Sequence, residues 1–335
     1  MRPGDAYIHT RARLLADRLI TDAQLESWLS RLPESPPALP RGMDELETPV
    51  SGEDQLLRAL IGDLLVLLRA HPPGERAVLL HWFRQLELRN LKTLLRGRLH
   101  ALPAAQVRRQ LLDLQPLGRL PEEELLRAED ALELLRLLER TPYASIARQA
   151  RRLFQEGHDP FFVDAAVDRH YYAGFPLLLR RRERAGHPGP GQLLGRLLDK
   201  QNLLWLLRYR LVYGLTPAQT YFLLAPGGQL LRGTRLLQLA GQESLDSALG
   251  LLPEPLRGLL AGCADISSAE IRMEQHCRRL TARALRESSD PLTRSLACMM
   301  LEEARIRQTR ALLTGARLHQ PVAAIRRAMS LPAPV

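Results

Sequence analysis

A chain of 335 residues that is 45% hydrophobic and 25% charged has a globular composition and enough length for several domains or a repeat array. Its apolar runs are cut early, by Asp63 in IGDLLVLLRA and Arg208 in LLWLLRYR, short of the roughly 18 uninterrupted apolar residues a membrane helix needs. A net charge of +10 favours acidic protein faces, anionic lipid or nucleic acid as partners, but 5% aromatic residues with no interleaved basic stripe leaves little for stacking bases.

Lys92 and Lys200 are the only lysines among 47 basic residues, so the basic character is almost wholly arginine. Cys263, Cys277 and Cys298 have no CxxC spacing and read as reduced, buried thiols, with no zinc site. The opening MRPGDAYIHT lacks the apolar core of a secretion signal, which predicts a cytoplasmic location.

Helix starts recur along the chain. Thr21-Asp22-Ala23-Gln24 has the spacing of a capping box, and Leu32 to Gly42, LPESPPALPRG, reads as a connector. His71 to Glu75, HPPGE, is a second expected exposed turn. Pro121 followed by Glu122, Glu123 and Glu124 puts acids at the positive end of a helix, and AEDALELLRLLER keeps helical spacing. Asp159-Pro160 and Asp290-Pro291 open two more helices. Ala185 to Gly191 (AGHPGPG) and Leu224 to Leu230 (LAPGGQL) are further expected exposed turns, and Thr216-Pro217-Ala218-Gln219 is a capping box with Pro at the first helical position. No stretch alternates with period two, so the expected fold class is all-α.

Internal repetition organises these helices. In LELRNLKTLLRGRL, Leu86 to Leu99, the residues Glu87, Asn90, Leu91, Leu94 and Arg98 share one helical stripe. In LDKQNLLWLLRYRL, Leu198 to Leu211, Asp199, Asn202, Leu203, Leu206 and Arg210 repeat it 112 residues later. A third, drifted copy lies in EEARIRQTRALLTGARLHQP. There Gln308 aligns with the two asparagines, Gly315 with Gly97 and Pro321 with Pro103, while Arg305, Thr314 and Ala316 replace the acid and the two arginines. Fainter echoes pair Pro142 with Pro255 and VDRHYY (Val167 to Tyr172) with MEQHCR (Met273 to Arg278). These intervals predict three related helical modules, residues 1–104, 105–217 and 218–335, in a closed or wedge-like arrangement.

The repeat residues Glu87, Asn90, Leu94, Asp199, Asn202, Leu206 and Gln308 are expected to be structural, the amides satisfying backbone groups of a neighbouring helix end. Arg96 and Arg98, and likewise Arg208 and Arg210, point to different faces and form the candidate partner-contact set. No catalytic, cofactor or metal site is expected. GxxxxGK[ST], HExxH and GxSxG are absent, and GPGQLLG (Gly189 to Gly195) has the wrong glycine spacing for a dinucleotide and reads as a connector. Asp164, Asp168 and His170 are ordinary ligand types, but Asp164 and His170 diverge by about 240° on a helix and read as a solvated face. Tyr171 and Tyr172 are expected to pack at least one ring on a neighbouring helix.

The ordered set ELRNLKTLLRGRL, DKQNLLWLLRYRLVYGL and a degenerate third copy resembles the C subunit of the bacterial and archaeal V/A-type rotary ATPases, whose eukaryotic vacuolar counterpart is the d subunit. Tyr7, Arg11 and Arg13 in AYIHTRARLL, with RTPYASI, DRHYY and LAPGG, are similar to further landmarks of that family, and the likeness covers nearly the whole chain. The resemblance implies a pseudo-threefold funnel of three wedge-shaped modules. It implies a non-catalytic rotor part: a monomer within a hetero-oligomeric complex, peripheral on the cytoplasmic face of the membrane. Its expected partners are the shaft subunits, whose tip enters the cavity, the membrane proteolipid ring and nearby anionic lipid headgroups. It would transmit torque for ATP-coupled proton or sodium transport. Two other classes compete with this reading, a basic helical nucleic-acid-binding protein and an all-α enzyme. Steep salt dependence of generic DNA binding would favour the first, and ATPase activity of the isolated chain the second.

Overall fold

The computed structural model describes residues 3–32, 49–155 and 160–331, and every regular element among them is helical. Most of the expected connector from Leu32 to Gly42, and Asp159 of one expected helix start, lie outside the described residues. In chain order the helices are α1 (Pro3–Asp17), α2 (Asp22–Arg31), α3 (Pro49–Ala70), α4 (Pro73–Leu99), α5 (Ala104–Arg108), α6 (Glu122–Leu125), α7 (Ala131–Leu138), α8 (Ala144–Gln155) and α9 (Pro160–Arg184). They continue as α10 (Gly189–Leu211), α11 (Pro217–Leu223), α12 (Thr234–Ala240), α13 (Leu245–Gly250), α14 (Leu256–Leu260), α15 (Ile266–Glu287), α16 (Pro291–Arg317) and α17 (Val322–Ala328).

Local chemistry accounts for the starts. Thr21 and Thr216 each close a capping box with the glutamine three residues on, and Asp130 and Asp290 cap α7 and α16 by accepting from Glu133 and Thr293. The triple-glutamate start expected after Pro121 is a single turn, α6, which packs on α7. GPGQLLG is not a connector: α10 begins at Gly189, with Pro190 in its first turn where a missing N–H costs nothing.

Six long helices make the frame. They come as consecutive pairs, α3 with α4, α9 with α10 and α15 with α16, and the second helix of each pair packs on the first of another: α4 on α9, α10 on α15, α16 on α3. The order of contacts therefore closes on itself. The three helices that carry the repeat, α4, α10 and α16, are the second members of the pairs, and α16 also touches both others. Residues at one stripe position, Leu94, Leu206 and Leu312, are all buried, at about 1.5–3 kcal/mol each from apolar burial alone. Short helices return onto each pair, α5 and α7 onto α4, and α11, α12 and α13 onto α10. On the α15–α16 pair, α17 is joined by the start of the chain. Ile20, Leu25, Trp28 and Leu29 form one apolar cluster with Leu312, Ile325, Met329 and Leu331, and α1 lies against α3, α15 and α16.

The first and third repeats leave their long helices in the same way. Ala101 and His319 sit at φ 50° and 49°, and the amides of Leu102 and Gln320 return to the carbonyls of Gly97 and Gly315, a Schellman-type ending that tolerates a left-handed non-glycine residue. The glycines are required by close approach. A Cβ on Gly97 would lie 2.4 Å from Cγ2 of Val107, and one on Gly315 2.5 Å from Cγ1 of Ile325. Gly97→Ala is expected to destabilise by about 1–3 kcal/mol through overpacking. In Gly97→Ala/Val107→Ala the loss should be smaller than the two single losses added together. Thermal midpoints of the four proteins check this, and simple additivity would show that the contact is not the cause.

Candidate functional site

The repeated polar residues grip loops that follow their own helices. Asn90 presents its amide to one residue as a peptide group would: Nδ2 donates to the carbonyl of Leu112 at 2.8 Å, and Oδ1 accepts the Leu112 amide at 2.8 Å. Asn202 does the same to Ala225, at 2.8 and 2.9 Å. Gln308 in the third copy reaches the Met329 carbonyl at 2.8 Å. Both asparagine side chains are fully buried, so each amide satisfies two backbone groups that have no access to water.

The acids one turn earlier hold the loop farther on. Asp199 accepts the amides of Leu230 and Leu231 at 2.9 and 2.8 Å, and Glu87 accepts the Arg119 amide and the Tyr143 hydroxyl. Burial raises the Asp199 carboxyl above its ordinary range, while the N–H groups of Leu231 and Leu230 oppose the shift. These bonds correct part of the expectation that LAPGGQL is an exposed turn: Pro226 and Gly227 are exposed, but Leu224 and Ala225 are buried because Asn202 and Asp199 pull the segment onto α10. HPPGE exposes Pro73 and Gly74 as expected but differs at its ends for a similar reason. His71 is buried, with Nδ1 2.6 Å from Glu75 and Nε2 2.8 Å from the Ser295 hydroxyl, which ties this connector to α16. In the third copy the acid's place belongs to Arg305, which bonds Gln308 Oε1 and Asp22 at the start of α2.

All four arginines of the candidate contact set are engaged within the chain. Arg98 donates to the carbonyls of Leu102 and Ala128, and Arg210 to those of Leu215 and Gln242, so both clamp the ends of the loops their helices carry. Arg96 pairs with Asp164 of α9 and Arg208 with Glu270 of α15, each linking a repeat helix to the next pair, and both keep much of their side chains exposed.

The structure also assembles pairs that the sequence did not join. Lys92 pairs with Asp168 of α9, and Lys200 with Glu274 of α15 at 2.5 Å. Asp168 and Glu274 are matching positions of the VDRHYY and MEQHCR echo. Two lone lysines in an arginine-rich chain were the available signal, a compact ammonium being the alternative to a guanidinium fork. Burial disfavours the Glu274 carboxylate, yet Lys200 and Arg307 outweigh it and hold the group at about 2. The supposed solvated face is thus a set of contacts, with Asp164 on Arg96, Asp168 on Lys92 and His170 3.0 Å from the Ser145 hydroxyl. Tyr171 stacks on His81, and Tyr172 meets Trp205 edge-on.

Between α4, α9, α10 and α16 lies a cavity of about 840 Å³. Trp205, Tyr172 and Ile306 contribute to its apolar wall, and among its charged lining residues seven are cationic and two acidic. Among the described residues no group of three or more His, Cys, Asp or Glu is placed to hold a metal, and no helix is long and apolar enough to cross a membrane. Burial pushes the Cys277 thiol up to about 11 and raises Cys298 further, so neither is a ready nucleophile.

Comparison with known proteins gives this arrangement its lineage. The family model for the ATP synthase (C/AC39) subunit matches residues 8–328. The chain is similar to the C subunit of the A-type ATP synthase of Methanocaldococcus jannaschii, 24% identical over 286 residues, covering 80% of this chain and 67% of that protein. It is also similar to the C subunit of the A-type ATP synthase of Methanosphaera stadtmanae, 26% identical over 201 residues, covering 58% of this chain and 51% of that one. With a match running through all six long helices, the chain belongs to the ATP synthase (C/AC39) subunit family.

Proposed function

We propose that this chain is the central-stalk subunit of a V/A-type ATPase: a non-catalytic socket, peripheral on the cytoplasmic face of the membrane, that joins the rotor shaft to the proteolipid ring. It transmits torque between them and so couples ATP turnover to proton or sodium transport. The three modules, divided near residues 104 and 217, form a pseudo-threefold funnel in this reading, one chain of it per complex. Anionic headgroups lie beside the ring-facing end, and nucleic acid is not a partner.

The observation that carries the proposal is the closed order of helix contacts around a cavity of about 840 Å³ in a chain of this family. Torque needs a body that does not shear. Buried side-chain-to-backbone bonds at Asn90, Asn202 and Gln308 pin each loop to its long helix, which is the stiffness a coupling element requires.

The test is to tag the chain, solubilise membranes gently and identify what migrates with it on a native gel. Co-migration with catalytic head, shaft and ring proteins is expected, and recovery of the chain alone or with nucleic acid would overturn the assignment. Arg96 and Arg208 are proposed as the exposed members of the contact set, with Arg98 and Arg210 positioning the loops around them. Charge reversal at Arg96 or Arg208 is expected to loosen retention of the rotor partners in the same gel. Wild-type retention in both variants would remove them from the contact surface.

A further inference from the structure

We propose that the element entering the central cavity is an acidic protein tip, so that the socket selects its shaft by charge as well as by shape. This rests on the reading of the cavity as the shaft socket.

The charge of the wall is the first observation. Arg89, Lys92, Arg96, Arg109, Arg307, Arg310 and Arg317 face Asp168 and Glu303, a ratio of seven to two in a chain whose overall ratio is 47 to 37. General arginine richness therefore does not account for it. The second is how the charges are used. Both acids are already matched inside the protein, Asp168 by Lys92, and Glu303 by Arg307 and the Gln85 amide. They leave no negative charge over for an incoming cation.

The third is the set of cations left over. Arg109, on the turn after α5, and Arg317, the last residue of α16, are exposed, and neither side chain makes an ion pair with a described residue. They lie on different elements and line the same cavity. Like charges gathered on the wall of one concavity raise the local potential, and they favour an occupant that brings carboxylates among apolar side chains for Trp205, Tyr172 and Ile306. A small polyanion fits the charge but offers nothing to the apolar wall, so the protein tip is the better match.

Binding of the purified shaft proteins to the full-length chain tests this, measured by titration calorimetry at 50 and 300 mM sodium chloride. Affinity is expected to fall about tenfold or more with salt. Arg109→Glu and Arg317→Glu should each weaken binding by ~tenfold at low salt, and Arg109→Gln and Arg317→Gln by less. Arg286→Glu, on the exposed side of α15 and outside the cavity, should leave it unchanged. The glutamine variants decide the matter should a charge reversal perturb folding.

Shaft binding that ignores both salt and these substitutions would overturn the acidic tip while leaving the socket reading intact. Absence of shaft binding by the wild-type chain would overturn the socket reading and this inference with it. If inorganic polyphosphate binds the cavity and the shaft does not, the occupant is a free polyanion and the inference fails.

Discussion

Asn202→Leu is expected to destabilise the protein by about 2–5 kcal/mol, the cost of leaving two buried backbone groups without partners. The side chain keeps nearly its volume, so packing changes little. The amide and carbonyl of Ala225, now bonded at 2.9 and 2.8 Å, would face apolar neighbours instead. Asn90→Leu should behave alike at Leu112, with the Asn90 bond to Glu122 lost as well. Gln308→Leu removes the bond to the Met329 carbonyl and the contact with Arg305, and is expected to cost less, about 1–2 kcal/mol. Thermal midpoints of the three variants check the order. Equal losses at all three positions would mean that side-chain volume, and not backbone satisfaction, sets the cost. Loops freed this way lie against the repeat helices, so partner retention should fall with stability in the first two variants.

Raising the pH from 5 to 8 is expected to weaken the joint between α3 and α16. Burial, then the neighbouring charge of Asp63, pushes the Glu302 carboxyl up to about 8, and burial also raises Asp63 despite Arg11 of α1 and Arg18 just after it. On α16 itself Cys298 lies one turn before Glu302 and feels its charge. In the folded chain Glu302 keeps its proton where the unfolded chain, at about 4.5, has lost it. The folded state therefore binds more protons between these values. Its stability is fully present below about 4.5 and is lost as pH rises toward about 8, by up to ~1.4 kcal/mol per pH unit. Glu302→Gln cannot ionise and keeps a donor for Asp63, so it should flatten this slope and be the more stable protein at pH 8. Thermal midpoints of both proteins across pH 5 to 8 decide it. An unchanged slope in Glu302→Gln would place the pH dependence elsewhere.

Much of the fold was legible in the order of residues. Helical spacing, the threonine and aspartate caps and the 112-residue interval are local or periodic, and they were enough to predict an all-α chain with three related stretches. The structural expectation for Asn90 and Asn202 needed only the cost of burying an amide among leucines, and the structure gives each amide a backbone partner. Their partners were not legible. Leu112 and Ala225 carry no marker in sequence, because a backbone amide or carbonyl is the same chemical group at every residue. The expected exposed turns at HPPGE and LAPGGQL held only at their Pro-Gly tips, on the same ground. Gly and Pro announce that a helix stops, but not whether the chain then meets water or another helix.

Charges divided in the same way. The repeat supplied Arg96, Arg98, Arg208 and Arg210 as a set, and packing separated the two that clamp carbonyls from the two that bridge to the next helix pair. Packing also brought Lys92 to Asp168 and Lys200 to Glu274, whose separations along the chain, 76 and 74 residues, no local rule can join. Secondary structure, repetition and the family likeness could therefore be read from the order of residues alone, since these depend on neighbours along the chain or on a period. Which surfaces are buried, which cations pair within the chain and where a cavity opens were settled by how six long helices meet. Pairing and desolvation depend on distance in space, and that distance exists only once the ring of contacts has closed.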